Sequence, residues 1–162
     1  HIEGIIKRLI HVSRWAKHLG LRLEGPPAHP FNPLLALRTC HAVKDDEDRG
    51  RYSSRLLSAA WEEGKDLTVP ENLLALAGEC GLDGKALLEA ASTTEVKEGL
   101  KEATSAAIAK GVFGVPTFIV DNELFWGNDR LPFLSRYLSG ETCDVKKIER
   151  MLARQSAADR RV

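Results

Sequence analysis

Apolar residues recur at steps of three and four along the chain as far as Gly111, and this spacing predicts a series of amphipathic helices. The first is expected at residues 5–19, with Gly20 as its terminator. Four prolines between positions 21 and 33 then predict an extended, rigid loop. The remaining helices are expected at residues 34–43 and between the turn or capping signals at Asp45, Gly64, Thr68, Gly81, Asp83, Ser92 and Gly111.

The same pattern predicts how two helices begin and which side chains form the core. Residues 68–71 and 92–95 have the Ser/Thr-x-x-Glu sequence of a capping box, which satisfies free amides at a helix start. The residues expected on buried faces are Trp15, Tyr52, Leu56, Ala59, Ala60, Trp61, Leu73, Leu74, Ala77, Leu87, Leu88, Val96, Leu100, Ala103, Ala107 and Ile108.

The period changes after Gly111. A β-branched and aromatic run predicts a strand over residues 115–120, followed by a tight turn at 121–122 and a returning strand over 123–126. A helix after residue 129 and a short helix over 145–152 complete the pattern. Two strands alone do not make a stable sheet. We therefore expect the hairpin to pair with a partner chain, or with strands that precede His1 and make the helical block an insertion.

The composition narrows the function classes. Lysine and arginine together number 23, as do aspartate and glutamate, so the net charge is zero and predicts neither nucleic acid nor a membrane surface as a partner. No apolar run reaches the length of about eighteen residues that a membrane span requires. The three cysteines contain no Cys-x-x-Cys pair, which favours reduced thiols in a cytoplasmic compartment and predicts no metal site.

The start of the predicted strand is a candidate binding edge. Pro116 has no N–H group to give to a sheet, so it belongs at an edge or an irregular start. If the Val115–Pro116 bond is cis, the backbone N–H and C=O of Val115 turn away from the sheet and can pair with an extended peptide ligand. The alternative is a proline that only begins a strand, and the spacing alone favours that alternative slightly.

The segment WGNDR at residues 126–130 is the second candidate. Amide groups at a helix start lack partners within the helix, so they can hold a carboxylate, and Asp129 beside them can hold an ammonium group. Asn128 and Asp129 thus suit a zwitterion. The alternative is an ordinary helix cap, which this segment alone favours.

Taken together, the sequence GVFGVPTFIVDNELFWGNDRLPFL at residues 111–134 resembles the signature of the 2-hydroxychromene-2-carboxylate isomerases and is similar to the kappa-class glutathione transferases. The resemblance extends back through RWA at 14–16, FNP at 31–33, ALR at 36–38 and WEEGKDL at 61–67. These families belong to the DsbA-related branch of the thioredoxin superfamily. The resemblance therefore implies an α/β, thioredoxin-like fold with a large inserted all-helical domain. This chain is expected to be mostly α, because the N-terminal strand–helix–strand unit would precede His1.

The resemblance also divides the chain and assigns a cofactor. It implies a helical insertion domain at residues 1–111, the C-terminal part of the thioredoxin-like domain at 112–140, and a C-terminal helix and tail at 141–162. It implies that glutathione binds with its cysteinyl unit on the backbone of Val115 beside a cis Pro116. The γ-glutamyl end would then lie at Asn128 and Asp129.

Further roles follow from the same resemblance. Asn32 and Trp126 are candidates for substrate contact, with ordinary turn and core roles as the alternatives. The activating serine of these families, or cysteine in redox relatives, is expected ahead of His1, so the catalytic residue stays unknown. The implied activity is a glutathione-dependent isomerisation of an aromatic-pathway carboxylate by a cytoplasmic homodimer, or by a mitochondrial or peroxisomal one in a eukaryote.

Two alternatives to the isomerase remain open. One is a kappa-type glutathione transferase or a DsbA-like thiol–disulfide oxidoreductase, and the other is a non-catalytic, truncated thioredoxin-like binding domain. A Ser-Pro-x-Ser sequence just upstream would favour the isomerase, and a Cys-Pro-x-Cys sequence the oxidoreductase.

Overall fold

The computed structural model describes residues 2–153, in which eight α-helices and one β-hairpin follow one another along the chain in the predicted order. The elements are α1 (Ile2–Leu19), α2 (Leu34–Ala42), α3 (Asp46–Trp61), α4 (Pro70–Glu79), α5 (Gly84–Ser92), α6 (Thr94–Ala109), β1 (Thr117–Val120), β2 (Glu123–Trp126), α7 (Leu131–Leu138) and α8 (Val145–Leu152). A 3-10 turn, Asn128–Arg130, leads into α7. One compact unit ends at Ala107 and a second begins at Ile108, so the boundary lies within α6.

The core of the first unit is built around Tyr52 on α3. Its side chain is fully buried, and its hydroxyl oxygen lies 3.3 Å from both Thr39 Oγ1 and the carbonyl oxygen of Leu73. The Thr39 hydroxyl in turn donates to the carbonyl oxygen of Ala36 at 2.8 Å. Burial raises the pKa of Tyr52, so the phenol stays protonated and able to donate. These bonds satisfy the buried hydroxyls that link α2, α3 and α4.

The two predicted capping boxes are wrong. The Thr68 N–H and hydroxyl both donate to Asp66 Oδ1, which holds this side chain at the preceding turn, and α4 begins after Val69 without a side-chain cap. At α6 the hydroxyl oxygen of Thr93, one residue after Ser92, accepts the N–H of Val96 at 3.3 Å. Neighbouring polar side chains offer alternative partners near a helix start, and local geometry decides which one caps the helix.

Several predicted core positions are exposed. Trp15 is 44% exposed and Leu74 is 38% exposed, while Leu76 of the same helix is fully buried. On α6, Ala103 and Ile108 are also exposed. A periodic pattern identifies the apolar face of a helix but not what covers it, and nothing within residues 2–153 buries these side chains.

The second unit is organised by the β-hairpin. β1 and β2 are antiparallel, with Thr117 opposite Trp126 and Val120 opposite Glu123. The predicted turn is confirmed: Asp121 and Asn122 both have positive φ, at 47° and 72°, as a type I′ turn requires. Within the residues given above, the sheet contains these two strands alone. The hairpin holds residue 115 at its entrance and residue 127 at its exit.

Candidate functional site

The entrance to β1 presents an unused pair of backbone groups. The Val115–Pro116 peptide bond is cis, which is the first of the two predicted alternatives. Val115 is 88% exposed, and neither its N–H nor its C=O forms a hydrogen bond with any residue between 2 and 153. The carbonyl oxygen of Pro116 instead accepts the N–H of Gly127 at 2.9 Å, which ties the entrance of the hairpin to its exit. An extended ligand could therefore bond to both groups of Val115 without displacing a protein contact.

The exit of β2 presents a second set of free groups. Gly127 has φ +97°, and the chain then enters the 3-10 turn. The N–H of Arg130 donates to the carbonyl oxygen of Gly127 at 3.1 Å, whereas the N–H groups of Asn128 and Asp129 have no acceptor in the described chain. The side chains of Asn128 and Asp129 are both exposed. This turn therefore offers two amide donors for a carboxylate beside one carboxylate acceptor.

Asp129 lies beside the charged side chain of Arg130. Arg130 Nε lies 3.8 Å from Asp129 Oδ2, and both side chains are more than half exposed. An exposed pair of this kind contributes little stability, because water screens both charges. The Asp129 carboxylate therefore remains available to a ligand cation. The absence of a side chain at Gly127 also matters here, because a Cβ atom there would lie 2.5 Å from Asp129 Oδ1.

An exposed aromatic pair adjoins the entrance of β1. The rings of Phe113 and Trp126 are 4.8 Å apart between centroids, and both side chains are exposed. Gly114 permits this arrangement, since a Cβ atom there would lie 2.6 Å from Trp126 Nε1. Trp126 was a predicted site residue, but Phe113 was missed. Its signal in the sequence was an aromatic residue two positions before Val115 in an otherwise small and β-branched segment.

Asn32, the other predicted substrate residue, belongs to the first compact unit. Its side-chain oxygen accepts the N–H of Leu34 at 3.0 Å, so it stabilises the start of α2 as a turn residue would. The side chain is exposed, and its contact with a substrate stays a prediction.

The described residues contain neither a metal-binding cluster nor a membrane-spanning helix. Residues 2–153 contain no group of three or more histidine, cysteine, aspartate or glutamate side chains placed to hold a metal ion. None of the helices in this range is both long enough and apolar enough to cross a bilayer. The three cysteines are free thiols: Cys143 is exposed, and Cys40 and Cys80 are partly buried.

Cys143 is expected to react with iodoacetamide well before Cys40. Burial raises the pKa of the Cys40 thiol, which leaves less of the reactive thiolate, and the Ser53 hydroxyl lies against its sulfur at 3.5 Å. Alkylation at mildly alkaline pH, followed over time by peptide mass spectrometry, measures both rates. Equal rates in the folded chain would contradict the burial of Cys40, and denaturant should remove the difference.

A helical block, a β-hairpin and a closing helix follow one another in the order expected for a thioredoxin-like fold with a helical insertion. The family model described as a DSBA-like thioredoxin domain matches residues 5–139. The chain therefore belongs to the DSBA-like thioredoxin domain family.

Individual relatives agree with this assignment. A 2-hydroxychromene-2-carboxylate isomerase of Sphingobium xenophagum is 40% identical over 129 residues, which cover 78% of this chain and 64% of that protein. Human glutathione S-transferase kappa 1 is 36% identical over 114 residues, or 65% of this chain and 50% of the relative. The solved structure of a 2-hydroxychromene-2-carboxylate isomerase superposes with a TM-score of 0.75 at 24% identity, covering 94% of this chain and 73% of the other. That superposition confirms the fold alone. The chain thus spans between half and two thirds of the length of these curated relatives.

Proposed function

We propose that this chain acts in a glutathione-dependent isomerase of the 2-hydroxychromene-2-carboxylate isomerase type, with an aromatic-pathway carboxylate as substrate. The observation that carries the proposal is the set of free groups at the two ends of the hairpin, described above for Val115, Asn128 and Asp129. The similarity to the isomerase of Sphingobium xenophagum supports the reaction class.

The residues present fit the chemistry of glutathione. The N–H and C=O of Val115 would pair with the peptide unit of its cysteinyl residue, as in the addition of one β-strand to another. The amides of Asn128 and Asp129 would hold the γ-glutamyl carboxylate, and the Asp129 side chain would hold the ammonium group. When bound, glutathione supplies a thiol that becomes a nucleophile on losing its proton.

Two aromatic side chains of this unit would orient a substrate. Phe113 and Trp126 form an exposed aromatic surface at the entrance of β1, to which an aromatic ring could bind in an offset or edge-to-face manner. The binding of the peptide cofactor through backbone groups leaves this surface free. A homodimeric assembly and a cytoplasmic location stay predictions.

A kappa-type transferase is the second candidate. It is favoured by the 36% identity to human glutathione S-transferase kappa 1, and it would use the same backbone and helix-start groups. The two candidates differ in the substrate and not in the cofactor site. A thiol–disulfide oxidoreductase is a further alternative, which a Cys-Pro-x-Cys sequence ahead of His1 would favour. A binding domain without catalysis is the remaining alternative.

The cofactor site is tested by comparing two thiol peptides. Calorimetric titration should show that reduced glutathione binds at least about tenfold more tightly than cysteinylglycine, which lacks the γ-glutamyl group and its charge-assisted bonds. Val115→Ala is the matched control, because it changes an exposed side chain and keeps the backbone groups that bind. Equal affinity for the two peptides, or no binding of glutathione, would overturn the proposal. If glutathione binds as expected, an activity assay separates the two enzyme classes. Turnover of a hydroxychromene carboxylate indicates the isomerase, and turnover of an electrophilic substrate indicates the transferase.

A further inference from the structure

A groove of about 470 Å³ lies between α2 and α6, entirely within the first compact unit. Leu34, Leu37 and Leu100 contribute apolar surface to it. Its volume falls within the range of about 300–1,000 Å³ that is typical of sites for small organic molecules. The groove includes none of the residues assigned above to glutathione.

The charged side chains of the groove are predominantly basic. Arg38, Lys97 and Lys101 line it, together with a single carboxylate, Glu98. Glu98 is paired with Lys101 at 3.3 Å. Arg38 and Lys97 form no ion pair with any residue in the range 2–153. The groove therefore has two unneutralised cations, and the ligand that complements it carries a negative charge.

Arg38 contributes a guanidinium group to the lining of the groove. Its Nε atom is buried and has no hydrogen-bond acceptor in the described chain, so a ligand in the groove would bond to the terminal nitrogens of the group. The planar guanidinium group is suited to a carboxylate, which it can bind through two parallel hydrogen bonds. Thr104 and Ser105 add hydroxyl groups to the same groove.

We propose that the groove between α2 and α6 binds a small aromatic carboxylate, with the carboxylate at Arg38 and Lys97 and the ring against the leucine side chains. A simple anion would pair with the cations but would leave the apolar surface uncovered. A neutral aromatic compound would cover the apolar surface but would leave the cations unpaired. The proposal goes beyond the glutathione site, because it concerns other residues and requires no thiol. It holds for an isomerase, a transferase or a binding protein alike.

Titration of the full chain with three probes tests the chemistry. Salicylate carries a carboxylate and a ring, 2-hydroxybenzyl alcohol has the ring without the charge, and inorganic phosphate has the charge without the ring. Chemical shifts in a nitrogen-15 correlation spectrum should show saturable binding of salicylate, at least about tenfold tighter than that of either other probe, because a hydrogen bond to a charged group accounts for such a factor. Equal binding of the alcohol or of phosphate would overturn the proposal, as would no saturable binding of salicylate.

Substitutions then locate the site. Arg38→Met removes the guanidinium and keeps much of the length, and Lys97→Gln removes one charge at an exposed position. Each should weaken salicylate binding by about tenfold. Lys85→Gln, which removes an exposed lysine from α5 outside the groove, is the matched control and should leave the affinity unchanged. Unchanged affinity in Lys97→Gln would overturn the assignment, even if Arg38→Met failed to fold.

The same protein samples test whether a second copy of the chain occupies the groove instead. If a second copy of the chain filled the groove, sedimentation would show self-association that Lys97→Gln weakens, and salicylate would not bind. That combination would also overturn the proposal. Folded-state circular dichroism and equal melting temperatures of the variants are the check that binding, and not stability, has changed.

Discussion

Asp129→Ala is expected to weaken glutathione binding by more than about tenfold, since a hydrogen bond to a charged group is worth about 1.5–3 kcal/mol. The substitution removes the only carboxylate of the 3-10 turn and leaves its amides in place. The carboxylate end of the ligand should still bind, but its ammonium group would lose its counter-charge. Calorimetric titration with reduced glutathione measures the change directly.

The control for this prediction is Glu141→Ala, which removes an exposed carboxylate of the same unit after the end of α7. It should leave the affinity unchanged within a factor of about two, because water and salt screen charges at a distance. Asp129→Asn is expected to give an intermediate loss, since it keeps an oxygen acceptor without the charge. If Asp129→Ala and Glu141→Ala bind glutathione equally well, Asp129 does not belong to the site.

Leu76→Ala is expected to lower the free energy of unfolding by about 2–5 kcal/mol. Leu76 is fully buried on α4 and belongs to the same core cluster as Tyr52 and Leu73. Truncation removes apolar contacts and leaves a cavity that helices on either side cannot close completely. Urea denaturation followed by circular dichroism gives the difference between variant and parent.

Leu74→Ala on the same helix is the matched control. Its side chain is partly exposed, so the same chemical truncation should cost only about 1 kcal/mol. The comparison separates burial from helix propensity, because both variants place alanine in the same helix. Similar losses in both would contradict the orientation of α4.

Local signals predicted the order of the elements. The change from a three-to-four spacing to a β-branched run located the hairpin, and the Asp-Asn pair located its tight turn, which the structure shows to have the positive φ values of type I′. Helix starts were less predictable, because Thr68 had a competing partner in Asp66 two residues away. Which face of α1 or α6 is covered depends on tertiary contacts that periodicity does not encode.

Sequence reasoning likewise identified some residues of the candidate site and missed others. Val115, Asn128 and Asp129 could be named as candidates from the sequence, because proline and glycine mark the ends of elements. Spacing alone favoured an ordinary strand start and helix cap at these positions, and the family resemblance favoured a ligand site. Phe113 was not named, because its place beside these residues becomes evident only from its ring contact with Trp126. The α2–α6 groove was also missed, since Arg38 and Lys97 are far apart in sequence and meet only in the folded unit.

The left-handed conformation of Gly127 has a consequence for how this turn could evolve. Any other residue would need both an unfavourable φ and a shift of the acidic group beside it. A library that randomises this one codon and selects for folding alone should therefore recover few alternatives. The absence of a Cβ atom at Gly127 therefore determines where the Asp129 carboxylate can lie.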